Sequence, residues 1–244
     1  MPIFSVVVAS MVMGQSAPAD FSRYVYPLAR PIRCPRVTLD VSDYPEGKAW
    51  GEAAKGLVQT WFSHVSQLLA TDGMDPITRE KKGKSFAVPR EIKLVIKRNI
   101  DPPAYAQGGT ITIKGPWITD HPDDLGLIIH ELTHVIQSYP DSDKTPGWLV
   151  EGIADYIRWW RYEPELQATK GRTKIDPAKS NYTDAYRTTA VWLAWCTQTY
   201  DRRLVPALDK AMRDQEDPMP IFARLTGKTA DELWKQFVQE TVPR

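Results

Sequence analysis

The run His130-Glu131-Leu132-Thr133-His134 constrains this sequence more than any other feature. Its two histidines stand four positions apart, so on a helix of 3.6 residues per turn they lie on one face and can share a metal ion. Glu131 is offset by about 100° around the same helix, where it cannot easily join the pair but can reach a water molecule beside the metal. The motif therefore predicts a helix with a metal-facing side and an adjacent base.

The residues around this motif have the spacing of a helix with one apolar face, formed by Leu125, Ile128, Ile129, Leu132, Val135 and Ile136. We expect this helix to begin near 120–123 and to end by Pro140. In a chain with four histidines, such a motif should arise by chance in about one of a few hundred sequences. Motif and spacing together favour a metal site over unrelated histidines.

A catalytic zinc site usually has three protein ligands, so a third ligand must come from another segment. Glu151 is the candidate, because it lies in a second stretch of helical spacing that begins at Thr145 and Pro146. A short loop would let the two helices pack antiparallel and direct Glu151 at the histidines. Asp155, one turn later, can accept the second N–H of a ligating imidazole. An exposed helix face is the alternative for both carboxylates, but their neighbours are apolar.

The remaining pattern predicts an α+β fold in which strands precede helices. Strands are expected at 36–41, 91–98 and 110–113, with a turn-forming stretch at 101–109. Helices other than the motif helix are expected at 46–70, 146–162, 183–200, 204–214 and 230–241. Nine tryptophans indicate a large aromatic core.

Charge and length narrow the partners and the domain organisation. Lys and Arg number 31 against 30 Asp and Glu, so no bulk positive field would recruit nucleic acid or an anionic membrane. A chain of 244 residues is long enough for one large domain, which we assign to 20–244. We expect it to be a monomer.

The first nineteen residues predict export to the periplasm or the exterior. An apolar run at 3–13 is too short to span a bilayer and is followed by small and polar residues. We assign 1–19 as a signal peptide and expect no membrane insertion after its cleavage; because no Lys or Arg precedes the run, a cytosolic tail is the alternative. Export would permit a disulfide between Cys34 and Cys196, with a buried Cys196 thiol as the alternative.

Four segments resemble the basic secretory protein family of plant and bacterial peptidases: IHELTHVIQ at 129–137, PGWLVEGIADYIR at 146–158, YRTTA at 186–190 and LTGK at 225–228. The resemblance implies a zincin-like fold, in which a small twisted mixed sheet covers the motif helix, its edge strand borders the cleft, and a mostly helical C-terminal half follows. It also implies one zinc ion on His130, His134 and Glu151, supported by Asp155. The near-neutral charge departs from a family described as basic.

These residues predict zinc-dependent hydrolysis of a peptide bond. Zinc would polarise the scissile carbonyl and lower the pKa of water, while Glu131 takes the proton and returns it to the leaving amine. The oxyanion needs a second donor, for which Tyr186 is the best candidate and Arg187 a weaker one. A packed or surface tyrosine is the alternative interpretation of Tyr186.

Substrate binding is predicted at Thr110, Ile111, Thr112 and Ile113, which alternate like an exposed edge strand. An extended peptide can add to such an edge through main-chain hydrogen bonds, which favours an endopeptidase. A cell-wall peptide amidase would share all of these residues. A non-catalytic zinc-containing binding or defence module is the other alternative, although a structural metal site has no use for Glu131.

Overall fold

The computed structural model describes residues 32–169 and 173–241. The predicted signal peptide at 1–19 lies outside these residues. Within them, no helix combines the length and the apolar character that crossing a membrane requires.

A four-stranded mixed sheet forms the first layer, with strands β1 Arg36–Asp40, β2 Glu91–Lys97, β3 Ala104–Gln107 and β4 Thr110–Lys114 in the order β1-β2-β4-β3. The first three strands in this order run parallel, and β3 is antiparallel to β4. In β2, buried Ile92, Leu94 and Ile96 alternate with exposed Lys93 and Lys97. This two-residue period places the apolar side chains on one face of the sheet, and helices cover that face.

The predicted edge strand is wrong. Thr110, Ile111, Thr112 and Ile113 lie in β4, which pairs with β2 on one side and with β3 on the other. A strand that is paired on both sides has no free main-chain groups to offer to a peptide. The edges of the sheet are β1 and β3, and β3 lies inside the stretch predicted as a turn. Flanking prolines and glycines hide this four-residue strand in the sequence, because only its pairing with β4 defines it.

The described residues contain nine α-helices: α1 Lys48–Leu68, α2 Gly115–Asp120, α3 Gly126–Gln137, α4 Gly147–Ile157, α5 Pro164–Thr169, α6 Tyr186–Thr199, α7 Leu204–Arg213, α8 Met219–Thr226 and α9 Ala230–Thr241. A 3-10 turn at Pro45–Gly47 precedes α1, and a π-helical turn at Arg158–Tyr162 continues α4. The six predicted helices are confirmed. The three that the sequence did not predict, α2, α5 and α8, have at most 8 residues each, too few for periodicity to identify.

Helix α3 lies between the sheet and α4, with α1 beside it, and α6 packs on the far side of α4. The α+β class with a small mixed sheet is thus confirmed. The predicted aromatic core is also present: the Trp192 ring stacks on Phe222 with centroids 5.0 Å apart, and Trp234 and Phe237 complete the cluster. Cys34 and Cys196 are both free thiols, so the optional disulfide is absent between them.

Candidate active site

The two histidines of the motif project from α3 with their Nε2 atoms 3.0 Å apart. Arg213 of α7 contacts the C-terminal end of this helix, where it donates hydrogen bonds to the carbonyl oxygens of Gln137 and Ile136 at 2.9 and 3.2 Å. Arg213 is itself paired with buried Asp209 at 3.1 Å. The last turn of α3 therefore has satisfied carbonyl groups and a fixed position.

Glu151 reaches the histidines from α4, as the spacing predicts. Its Oε2 atom lies 3.2 Å from Nε2 of His130 and 3.4 Å from Nε2 of His134. Burial raises the pKa of Glu151, but hydrogen bonds from His130 and His134 and their charges outweigh burial and lower it to about 2. The carboxylate is therefore ionised at neutral pH. One ligand atom from each of these three side chains lies within 4.8 Å of the others, a cluster that can hold a metal ion.

His130 is held from behind by Asp155, whose Oδ1 atom lies 2.8 Å from its Nδ1 atom. Because the carboxylate can only accept, Nδ1 carries the proton and Nε2 faces the cluster. Burial lowers the pKa of His130, while Asp155 and Glu151 raise it more, to about 9, so a metal ion that binds Nε2 must displace a proton from it. Asp155 thus lies where the sequence predicts it, within hydrogen-bond distance of the second nitrogen of a candidate ligand.

His134 has a different support, Gln137, which the sequence interpretation did not assign. The Gln137 amide donates from Nε2 to the Val150 carbonyl oxygen at 3.1 Å, and its Oε1 atom lies 2.8 Å from Nδ1 of His134. Since a carbonyl oxygen must face the NH₂ group, Oε1 is left to accept from Nδ1–H, and Nε2 of His134 is free to bind a metal. The spacing of one helical turn between the two side chains was the available signal.

Glu131 lies beside the ligands and is only 4% exposed. Burial raises its pKa; His130, His134 and a hydrogen bond with the Ala106 main chain oppose that rise without cancelling it. The pKa therefore moves towards the neutral range in which a carboxylate works as a general base. The contact with Ala106 also shows that the edge strand β3 borders the site.

A cleft of about 1180 Å³ opens above these side chains. Its floor contains His130, Glu131, His134 and Glu151, and its sides are residues 102–108, 138–142 and 184–188. This volume exceeds that of most small-molecule pockets. An extended chain of several residues fits a space of this size.

The free edge of β3 faces the cleft. The Pro103 carbonyl oxygen accepts from the Lys114 amide at 2.9 Å, so the main-chain hydrogen-bonding groups of residues 103, 105 and 107 point to β4. Polar groups alternate along a strand, so those of Ala104 and Ala106 point to the open edge. The hydrogen bond between Ala106 and Glu131 agrees with this assignment.

Tyr186 stands at the start of α6, with its ring centroid 6.3 Å from that of His130 and the two rings 15° from parallel. The charge of Glu151, and then burial, raise the pKa of Tyr186, so its hydroxyl stays protonated and able to donate. The helix approaches closely because Gly152 of α4 lacks a Cβ, which would overlap the Thr189 side chain of α6. Arg187, the weaker candidate, lies over the Trp159 ring.

Comparison with known proteins identifies one family. A family model described as BSP, peptidase of plants and bacteria, matches residues 52–237. This match covers most of the chain and includes the motif helix, Glu151, Asp155 and Tyr186. No curated protein and no solved structure matches the chain.

Proposed function

The chain belongs to the basic secretory protein family, whose model describes peptidases of plants and bacteria, and on this premise we propose that it is a zinc-dependent peptidase. The observation that carries the proposal is the cluster of His130, His134 and Glu151 on the floor of a cleft, with Glu131 buried beside it. A metal site with one unused carboxylate next to its ligands is the arrangement that hydrolysis requires.

The donor set suits zinc. Two imidazole nitrogens and one carboxylate oxygen are ligands that zinc prefers, and three protein ligands leave a fourth position for water or substrate. The three pairs of ligand atoms are separated by 3.0, 3.2 and 3.4 Å, and tetrahedral ligands of zinc stand roughly 3.3 Å apart. Asp155 and Gln137 fix both imidazoles in the tautomer that leaves Nε2 available.

Zinc, when bound there, would polarise the scissile carbonyl and lower the pKa of water. Glu131 then accepts a proton from the attacking water and transfers it to the leaving amine. Its raised pKa serves both steps, because the same carboxyl group must take a proton and give it up. Tyr186 donates its hydroxyl proton in a hydrogen bond to the oxyanion that forms as water attacks.

An extended peptide would bind along β3 rather than β4. The open-edge polar groups of Ala104 and the carbonyl oxygen of Ala106 can pair with a peptide main chain, while the Ala106 amide donates to Glu131 directly beside this edge. Because strand addition needs no chain terminus, this mode favours an endopeptidase. A zincin-like architecture, with the sheet edge above the motif helix, is part of the proposal.

The proposal extends to the organisation of the whole chain. Residues 20–244 would form one exported monomeric domain, and residues 1–19 would be its signal peptide. The apolar run at 3–13 and the small and polar residues that follow it support the signal peptide.

Zinc content and cleavage should be measured on the same preparation. We expect one zinc per chain by elemental analysis, cleavage of members of a peptide library, loss of cleavage after chelation, and recovery on adding zinc. Cell-wall peptides belong in the library, because cleavage confined to them would indicate an amidase. A zinc-loaded protein that cleaves no peptide, or cleavage that survives complete removal of metal, would overturn the proposal.

A further inference from the structure

One end of the cleft carries a cation that forms no ion pair with another described residue. Arg158 and Arg187 are the Lys or Arg residues among the described residues that line the cleft. Arg158 is largely buried and neutralised by Asp124 at 2.5 Å and Glu163 at 3.3 Å. Arg187 is exposed, and within 32–169 and 173–241 it makes neither an ion pair nor a hydrogen bond. The charge of Glu163 acts on Arg187 from beyond ion-pair distance, but Glu163 is bound to Arg158, so the N–H groups of Arg187 are available to a ligand.

Arg187 is nevertheless held in place. Its guanidinium carbon lies 3.9 Å from the ring centroid of Trp159, and Trp159 is only 4% exposed. Stacking on an indole uses the flat face of the guanidinium and leaves its N–H groups free for a bidentate contact with a carboxylate. A cation fixed in this way loses less conformational entropy on binding than a mobile surface arginine.

Arg187 lines the same cleft as the metal-binding side chains. Tyr186, the preceding residue, has its ring 6.3 Å from that of His130. Leu127 lies one turn before His130 on α3 and lines the same cleft as Trp159 and Arg187. Leu127 and Trp159 provide apolar walls, and Arg187 supplies the charge at the rim.

We propose that Leu127, Trp159 and Arg187 form a subsite for a carboxylate-bearing part of the peptide. The carboxylate would belong to an acidic side chain or to the C-terminus of the substrate. Methylene groups would pack on Leu127 and Trp159, and both carboxylate oxygens would accept from the Arg187 guanidinium. The subsite rests on the proposed function in one respect, namely that its ligand is a peptide substrate.

Matched peptides distinguish the two sources of the carboxylate. In the first set every peptide has an amidated C-terminus, and one position at a time, on either side of the cleaved bond, is Glu in one peptide and Gln in its match. In the second set no peptide has an acidic side chain, and the C-terminus is free in one peptide and amidated in its match. With zinc-loaded wild type, we expect kcat/KM to favour the carboxylate in one set by about 10- to 100-fold. The position of the preference identifies the source.

Variants assign that preference to Arg187. Arg187→Gln should reduce the ratio of kcat/KM between acid and amide to about one, and Arg187→Lys should give an intermediate ratio because it keeps the charge but loses the planar fork. Arg224→Gln removes the same charge from exposed α8, outside the cleft lining, and should keep the wild-type ratio. A ratio near one in wild type, or a preference that Arg187→Gln leaves intact, would overturn the subsite.

Binding without turnover separates failure of the subsite from failure of the proposed function. The same peptides can be titrated into zinc-loaded Glu131→Gln and into the double variant with Arg187→Gln. The single variant should bind the carboxylate peptide about 10- to 100-fold more tightly than its amide, and the double variant should bind both alike. If wild type cleaves nothing but this binding difference appears, the peptidase proposal fails and the subsite stands. If peptides are cleaved but not discriminated, only the subsite fails.

Discussion

The floor of the cleft, formed by His130, Glu131, His134 and Glu151, is buried or half-buried, and hydrogen bonds from other helices hold its side chains in place. The wall formed by residues 184–188 has the opposite character. Tyr186 is 55% exposed, and both Ala185 and Tyr186 have positive φ angles, 65° and 45°. The two regions meet because Gly152 lets α6 pack against α4 beside Glu151.

This difference matches two different requirements. A metal site needs ligands in a fixed tautomer and geometry before the ion arrives, and buried hydrogen bonds provide them. An oxyanion donor must act only once a substrate is present, and an exposed side chain on a strained turn leaves room for the peptide. Substitutions on the floor should therefore alter proton transfer or metal affinity. Substitutions on the wall should alter kcat through the stabilisation of the oxyanion.

The largest effect should come from Glu131→Gln on the floor. The amide cannot accept a proton from water, so kcat/KM should fall by about 10²–10⁴-fold. The zinc content should stay at one per chain, because Glu131 is not in the ligand cluster. Steady-state kinetics and elemental analysis on the same sample check both parts. Turnover close to wild type would remove Glu131 from the mechanism.

Tyr186→Phe tests the wall with the next largest effect. The substitution keeps the ring and deletes the hydroxyl donor, so kcat should fall by about 10–10³-fold. KM should change much less, because the oxyanion is fully charged only after water attacks. A variant that keeps its full kcat, or whose lost activity follows lost folding, would leave Tyr186 as a surface residue.

Gln137→Leu tests the support of His134 through metal affinity alone. Loss of the acceptor for Nδ1–H should weaken zinc binding by about 10- to 100-fold, measured by competition with a chelator of known affinity. Gln137→Glu keeps an acceptor for Nδ1–H but, like the leucine variant, loses the donor to the Val150 carbonyl oxygen, so it should bind zinc more tightly than Gln137→Leu and less tightly than wild type. Equal zinc affinity in wild type and Gln137→Leu would show that the hydrogen bond does not orient the ligand.

The floor was largely predictable from the sequence because its geometry is local. His130, Glu131 and His134 share one helix, so their spacing alone determines which of them face the same way. Glu151 and Asp155 needed one further assumption, antiparallel packing of two consecutive helices. Gln137 was missed because its role depends on the Val150 carbonyl of α4, which fixes the amide orientation. The spacing of His134 and Gln137 within α3 allows their contact, but it does not determine the orientation of the amide.

The wall and the sheet edge depend on contacts between distant segments. Alternation identified Thr110 to Ile113 as a strand, but its partners on both sides come from β2 and β3, and pairing order is not encoded in alternation. The contact of Arg187 with Trp159 likewise joins α6 to the turn that follows α4. Such contacts follow from how helices pack, which the sequence of either segment does not specify.

The smallest expected effect concerns the backbone of the wall. Ala185 has φ 65° and ψ −173°, a region essentially restricted to glycine, and holding another residue there costs about 1–3 kcal/mol. Ala185→Gly removes this strain but adds about 0.4–1 kcal/mol of conformational entropy to the unfolded chain. The net result should be a stabilisation of about 0.5–2 kcal/mol, with Tm higher by roughly 2–4 °C for each kcal/mol.

Ala53→Gly is the matched control, because Ala53 is exposed within α1 and the same substitution in a helix interior should destabilise the protein by about 1 kcal/mol. Opposite signs in the two variants would show that the wall stores strain at Ala185. If the strain serves to present Tyr186, relaxing it should also lower kcat, by less than Tyr186→Phe does, since the hydroxyl remains but is less firmly placed. Equal destabilisation of both variants in thermal denaturation would mean that Ala185 is not strained, and the contrast between a fixed floor and a strained wall would then rest on the exposure of Tyr186 alone.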